Sequence, residues 1–419
     1  MRNVDGLYKK EFYKNILYTT HFCEDIELKY SKYEGATILP YKVKENGKEG
    51  GGVVTETGEY LVDTGLHKKC NEDYAVQNPK YSEDKVIYIG MFNGIWGHHI
   101  TDNLRRLWFL ETDIYKEKFA DYKVVYVAFP NFKFTGNRKE LLDIMGIDCS
   151  KFIQVTEPTR YKSVIIPDES LFLDDDCEER FFTKEYRDLI HRVREYGVKN
   201  QTKIDFDKIY FTHSRYATLK EIGEPKLEKF FEKHGYKIIA PEKFSFREQL
   251  NMLVQCKSFA STIGSGSHNV MFMQDDSDVI LIPRSNYLTS YQLAVDEVAN
   301  LNIRYIDSSL SILTERNLSW IGPFYFYVSK ELSDAFNEEI DFKKRKKDYR
   351  DFKFYVWLGK IKRIDLASVD ALDYYADALM RFLQERRAVS LLNKIPNARM
   401  ILRKCVNGLG YVITKCKGV

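Results

Sequence analysis

Apolar and polar positions alternate most regularly after Lys208. The segments "KIYFT", "YKIIA", "KSFASTI", "DVILIP" and "IRYID" are short apolar runs of strand length. Between the first three lie "EPKLEKFFEKHG" and "SFREQLNMLVQC", whose apolar residues recur at helical spacing. Pro225 falls in the first turn of the former and Gly235 stops it, while Ser245 and Glu248 open the latter as a capping box. Short apolar strands alternating with helices predict a parallel sheet covered on both faces. In such sheets ligands sit beyond the carboxyl ends of the strands.

The upstream pattern is less regular. "KVIYIG" and "KVVYVAF" predict strands flanking a helix from roughly 98 to 110, and "RKELLDIMG" predicts a helix closed by Gly146. "SVIIP" reads as a strand and "TKEYRDLIHRVREYG" as an amphipathic helix ending at Gly197. The first 80 or so residues lean towards strand without a clear order. The expected fold class is α/β: an N-terminal α/β domain over 1–197, the polar linker "VKNQTKIDFD" over 198–207, a second α/β domain over 208–330, and a helical C-terminal extension over 331–419.

Three constellations could carry chemistry. In "STIGSGSHNVMFM", Gly264 and Gly266 are expected to take backbone angles closed to other residues and to let a group approach the main chain. Ser265, Gly266, Ser267, His268 and Asn269 would then stand at a helix entrance, where N–H groups favour an anion such as phosphate. A third glycine at dinucleotide spacing is missing, and a plain strand-to-helix connection is the alternative. In "THSRYATLKEIGEPK", Arg215 and Lys220 suit a diphosphate and Glu224 suits ribose hydroxyls; a solvated loop with a charge pair is the alternative. In "GIWGHHITDNLRRLW", His98 and Asp102 fall on one helix face as a base and its orienting partner. They could equally be two metal ligands lacking an evident third, or a capping histidine and a surface aspartate.

Composition narrows the classes. With 419 residues, 44% hydrophobic and 30% charged, the chain suits two domains with ample cores. Its 29 Tyr and 27 Phe fit an aromatic-rich core first and a sugar-facing surface second. The net charge of +3 conceals a basic tail: after Glu385 come eight Lys/Arg and no acidic residue, leaving about −5 for the rest. Nucleic-acid binding by the main body is therefore not expected. In the tail, Ala398, Ile401, Leu402, Cys405 and Leu409 share a helix face flanked by Arg399, Arg403 and Lys404. Such a helix could lie on an anionic membrane surface or pack on its own protein. Seven scattered cysteines without a C-x-x-C pair suggest reduced thiols. The opening "MRNVDGLYKKEFYKN" lacks an apolar signal core, and no apolar run reaches spanning length. The expectation is a cytoplasmic protein, peripheral on the inner face of the cell membrane if the tail binds lipid.

The ordered set of motifs resembles glycosyltransferase family 61, whose bacterial members often build capsule or surface polysaccharides. "HHITDNLRRL" supplies His98, Asp102, Leu104, Arg106 and Leu107 of the family's first motif, with His99 in place of an aromatic and Arg105 in place of a proline. Ser214, Arg215 and Glu224 match the second, where Lys220 replaces an arginine and Gly223 an asparagine. Gln249 matches a helix signature. In "IGSGSHNVMF", Gly264, Gly266, Asn269 and Phe272 are kept, while Ile263 replaces the family's histidine and Ser267 its leucine.

The resemblance covers about Tyr88 to Ile306. It implies a GT-B-like fold with two Rossmann-like domains facing across a cleft, the first serving the acceptor and the second the donor. It also implies inverting transfer from a nucleotide sugar, often a UDP-sugar, to a growing or lipid-linked surface glycan. In that setting Asp102 is the candidate general base, with His98 as orienter or base. Arg215, Lys220 and Ser265 to Asn269 would face the leaving diphosphate, and Glu224 the ribose; that charge compensation needs no metal or other cofactor. A non-catalytic nucleotide- or glycan-binding protein on the same scaffold is the alternative function.

Overall fold

A computed structural model describes residues 2–5, 20–43, 49–65, 78–130, 132–174, 179–214, 221–284, 288–310, 324–339 and 351. Arg215, Lys220, the charge run 343–350 and the basic tail lie outside the described residues. So does nearly all of the C-terminal extension, apart from 331–339, which holds most of a short helix over Lys330–Ala335, and the lone Asp351.

The mixed α/β architecture expected from the alternation is present. Six parallel strands form one sheet in the order 237–239, 208–211, 258–262, 278–282, 302–306 and 2–5. Successive side chains bury on opposite faces. Ile209, Phe211, Phe259, Val279, Leu281, Ile303 and Tyr305 face one apolar cluster, and Tyr210, Ala260, Ile280, Ile282 and Ile306 face another. The helix Glu224–Lys233 covers the second face through Leu227, Phe230 and Phe231. The helix Phe246–Leu253 covers the first, with both reciprocal bonds of the Ser245–Glu248 capping box formed.

The sixth strand corrects the expected division of the chain. Arg2–Asp5 pairs in parallel with Asn302–Ile306, so the first described residues complete the second sheet rather than the domain assigned to 1–197.

The other large sheet joins strands 60–61, 49–54, 37–43, 159–167, 80–92, 123–128 and 153–154, with 30–34 also pairing to 159–167. Its centre is parallel, from Thr159–Pro167 through Lys80–Phe92 to Lys123–Ala128, and its flank is an antiparallel meander.

Two further expectations change. Helix Lys184–Lys199 does not stop at Gly197, which lies inside it. A Cβ there would come within 2.8 Å of Leu250 and Val254, so glycine permits close packing on helix Phe246–Leu253. The segment after Lys199 is then fastened by Thr202 N–H to Asn251 Oδ1 at 2.7 Å and Asn251 Nδ2 to Thr202 O at 3.0 Å. One apolar cluster runs from Ile87, Ile89 and Phe92 through Leu141, Leu142, Leu189 and Leu250 to Phe259 and Leu281, joining the two sheets. A buried apolar junction of this kind opposes wide hinge opening between them.

Candidate functional site

The parallel sheet has its topological switch between strands Lys208–Phe211 and Ser258–Thr262, because the chain leaves the former towards 237–239 on one side and returns on the other. The crevice at such a point is where open α/β sheets hold ligands. His213 leaves the first strand there and Gly264 to His268 leave the second. His213 Nδ1 lies 3.3 Å from Thr262 Oγ1, and a Cβ on Gly266 would sit 3.1 Å from His213 Nε2. From the next strand, Arg284 packs its guanidinium so closely on Gly264 that a Cβ would overlap it, and pairs with Glu221 at 2.8 Å.

Neither Gly264 nor Gly266 has a positive φ, contrary to expectation. The glycines serve close approach alone. The segment after them is a 3-10 helix over Ser267–Phe272, not an α-helix.

The turn's polar side chains divide by what they touch. Ser267 Oγ accepts from Gly264 N–H at 3.0 Å and also bonds Gln292 Oε1. Asn269 accepts from Trp96 Nε1 at 2.8 Å and donates to Gln249 at 3.3 Å; Gln249 in turn donates to the carbonyls of Pro241 and Phe244. These two candidates, and the Gln249 signature, knit the turn to the protein. Ser265 and Gly264 are half-buried at its rim, and His268 is buried behind them. Burial, with the charge of His98 beside it, pushes the His268 imidazole down to about 3, so it stays neutral.

Glu224 does not face a ligand. Gly223 turns in the left-handed region with φ +89°, where any Cβ would overlap the Phe326 carbonyl, and tucks Glu224 fully inside. Its carboxyl accepts from His213 N–H at 3.1 Å and from Tyr210 OH at 3.2 Å. Burial raises it to about 7, helped by Glu228 and opposed by the His213 N–H, Arg284 and Tyr210. The expected ribose contact is replaced by a structural one.

The expected 98–110 helix is broken. An α-helix spans Trp96–Ile100, turns follow, and a 3-10 helix covers Leu107–Glu111. Burial of both arginines accompanies the break: Arg105 Nη1 and Arg106 Nη2 both reach Glu169 Oε1, at 3.1 and 2.8 Å, and Arg106 Nη2 also bonds the Asp63 carbonyl.

The His98–Asp102 pairing survives. Nδ1 and Oδ2 are 2.5 Å apart, and Tyr291 OH lies 2.7 Å from both carboxylate oxygens. Burial disfavours the charge on Asp102, but the His98 hydrogen bond and the charges of His98, Arg105 and Arg180 outweigh it, holding the carboxyl well below its usual range. The His98 side chain is 26% exposed and that of Asp102 10%. Asp102 is therefore a fixed anion that orients His98, and the imidazole is the group that reaches outward. Among the described residues, no group of three or more His, Cys, Asp or Glu is placed to hold a metal.

The departure at His99 is explained here. Its buried ring packs on Trp96 and Phe132 as an aromatic would, and burial next to Arg138 pushes it down to about 3. Arg105, where the family motif has proline, supplies one of the charges that hold Asp102. Ile263 is buried in the apolar cluster that joins the sheets.

The two constellations touch. A Cβ on Gly97 would lie 3.1 Å from Ser265 Oγ and 3.2 Å from His268 Nδ1, so the helix carrying His98 abuts the glycine turn. Sequence reading missed His213, Arg284, Tyr291 and Arg180. The first stood in a quoted motif; the others come from segments with no local signal.

Fold and site define a mixed α/β protein with a sheet-edge crevice suited to an anionic ligand and a histidine–carboxylate pair beside it. The sequence model of the family described as Glycosyltransferase 61 matches residues 96–280, which include both constellations, so this stretch of the chain is a domain of that family. Glycosyl transfer is accordingly its class of activity. No curated protein sequence matches. Among solved structures, the chain is similar to the dodecameric iron-containing heptosyltransferase TibC in complex with ADP-D-β-D-heptose. That likeness has a TM-score of 0.26 and 11% identity, over 65% of this chain and 83% of the other. At that score it bears on neither fold nor function.

Proposed function

We propose that this chain is an inverting glycosyltransferase that moves a sugar from a nucleotide donor, a UDP-sugar, to a hydroxyl of a growing surface glycan. The observation that carries the reading is the abutment of the His98 helix on the glycine turn at Gly97, Ser265 and His268. It brings a base beside a crevice of the kind that holds nucleotides.

In this mechanism His98 takes the proton from the acceptor hydroxyl while Asp102 stabilises the imidazolium that forms. The acceptor oxygen attacks the anomeric carbon from the face opposite the leaving group. The bond to the β-phosphate oxygen breaks with its electron pair passing to the diphosphate. Arg284, His213 and the turn at Ser265 and Gly266 line the edge where that charge collects, and Arg215 and Lys220, which follow His213 in the sequence, add cations to it in this proposal. The charge compensation is supplied by side chains and backbone, without a metal.

The arrangement is GT-B-like in this proposal, with an acceptor-side α/β half before the segment 198–207 and a donor-side half after it that recruits Arg2–Asp5. The acceptor is a surface glycan or its lipid-linked precursor, met at the cytoplasmic face of the membrane, where the basic tail contacts anionic lipid.

Ile263, an apolar residue where the family pattern has histidine, favours a second reading as a nucleotide-binding protein without turnover. Thermal-shift measurements against UDP, CMP, GDP and dTDP, followed by transfer assays in the presence of a chelator, separate the two. A ligand at 100 times its Kd stabilises by about 2.7 kcal/mol. Binding of one diphosphate with chelator-resistant transfer that His98→Gln abolishes supports the transferase. Tight binding with no turnover on any acceptor overturns it in favour of the second reading.

A further inference from the structure

We propose that Tyr291, clamped by Arg180, is a positioning residue for the reaction: its phenol orients Asp102 and thereby sets how tightly His98 holds a proton. The inference rests on the reading of His98 as the base. Tyr291 lies on the helix Ser290–Val295, nearly 200 positions after Asp102, yet its hydroxyl sits 2.7 Å from both oxygens of that carboxylate. Its ring meets the His98 imidazole edge-on, with centroids 5.4 Å apart at 90°.

Arg180 fixes the phenol in place. Its guanidinium carbon lies 3.6 Å from the Tyr291 ring centroid, and its Nη1 donates to Ser290 Oγ at 3.1 Å. The neighbouring Gln292 bonds Ser267 of the glycine turn. One short helix thus holds the turn with one residue and the carboxylate with the next, so a shift at the turn is transmitted to the base.

The physical effect on His98 has a definite sign. A carboxylate that accepts a phenol hydrogen bond gives less of its charge to an imidazolium, so the phenol lowers the proton affinity of His98. Among the described residues, the other groups around the pair include Arg105 from its own segment, Arg180 from strand Glu179–Thr183, Tyr186 from helix Lys184–Lys199 and His268 from the glycine turn. None of these is altered when only the Tyr291 hydroxyl is removed.

The test is NMR titration of the His98 ring in the wild-type protein and in Tyr291→Phe, without substrate, so that it does not depend on turnover. The expected result is an upward shift of the His98 midpoint by roughly 0.5 unit or more. Arg180→Met, which keeps the phenol but removes the clamp and a cation, moves it the same way and replaces the first variant if that fails to fold. In turnover, Tyr291→Phe lowers kcat about 10-fold, leaves the donor KM unchanged and moves the acid limb of the pH–rate profile upward. An unshifted His98 midpoint in both variants overturns the proposal, as does equal loss in kcat and donor affinity with an unmoved pH profile. A shifted midpoint combined with full activity in His98→Gln sinks the assignment of His98 as base while leaving the control of its titration by Tyr291 intact.

Discussion

Asp102 and Glu224 are both carboxylates shut away from solvent, 8% and 0% exposed, and the protein treats them in opposite ways. Around Asp102 stand His98, Arg105 and Arg180, and the phenol of Tyr291 donates to it. Around Glu224 stand a backbone N–H, one phenol and a like charge on Glu228, with Arg284 as the cation that acts on it. The first remains ionised; the second holds its proton to about pH 7. Burial alone does not decide what a carboxylate does. The neighbours do, and here they leave a permanent anion at the base and, beneath the sheet edge, a group that takes up its proton near pH 7.

The largest effect should come from the anion. Asp102→Asn keeps the shape but removes the charge that supports imidazolium, so turnover at saturating donor should fall at least ~100-fold with donor affinity nearly intact. Steady-state kinetics beside direct binding of the nucleoside diphosphate measure this. Near-normal turnover would erase the functional half of the contrast and make Asp102 as structural as Glu224.

Arg284 gives an intermediate test, because it stands between the glycine turn and the acidic pair of Glu221 and Glu224. Arg284→Ala should weaken diphosphate binding by about 1.5–3 kcal/mol, the size of a charge-assisted contact, and nucleoside binding far less. Calorimetry with UDP and uridine reads the difference. Equal losses would mean that Arg284 serves only its ion pair with Glu221. Gly264→Ala, which would push the guanidinium aside, should reproduce part of the same selective loss.

What the sequence made legible follows from how far apart the interacting residues lie. The parallel strands were readable because both their faces are buried, giving short continuous apolar runs such as "DVILI". The capping box and the His98–Asp102 pair were readable because both are local, three and four residues apart. The pairing of Arg2–Asp5 with Asn302–Ile306 joins residues 301 positions apart, and nothing in either segment announces the other. Tyr291 is one of 29 tyrosines until the fold brings it to Asp102. The glycine turn was half legible: glycine marks both positive φ and close approach, and only the structure separates them. Glu224 was misjudged because a charged residue after a loop glycine reads as exposed, whereas the left-handed turn at Gly223 directs it inward.

The smallest effect, and the most direct probe of the other carboxylate, is the pH response of stability in Glu224→Gln. Glutamine preserves the acceptor oxygen for His213 N–H and Tyr210 OH but carries no titrating proton. In the wild type, the carboxyl binds its proton more tightly folded, at about 7, than unfolded, at the ordinary value of 4.5. Between those values the folded state holds a proton that the unfolded state has released. The stabilisation is therefore full below the unfolded value and is lost as pH rises through about 7. Relative to Glu224→Gln, the wild type should lose on the order of 1–3 kcal/mol between pH 5 and pH 8. Urea unfolding midpoints of the two proteins at both pH values measure it, and taking the difference cancels the opposite contributions of the buried neutral His99 and His268. Parallel pH responses would show Glu224 already ionised in the fold. It would then be a second buried anion, and the contrast with Asp102 would collapse from the other side.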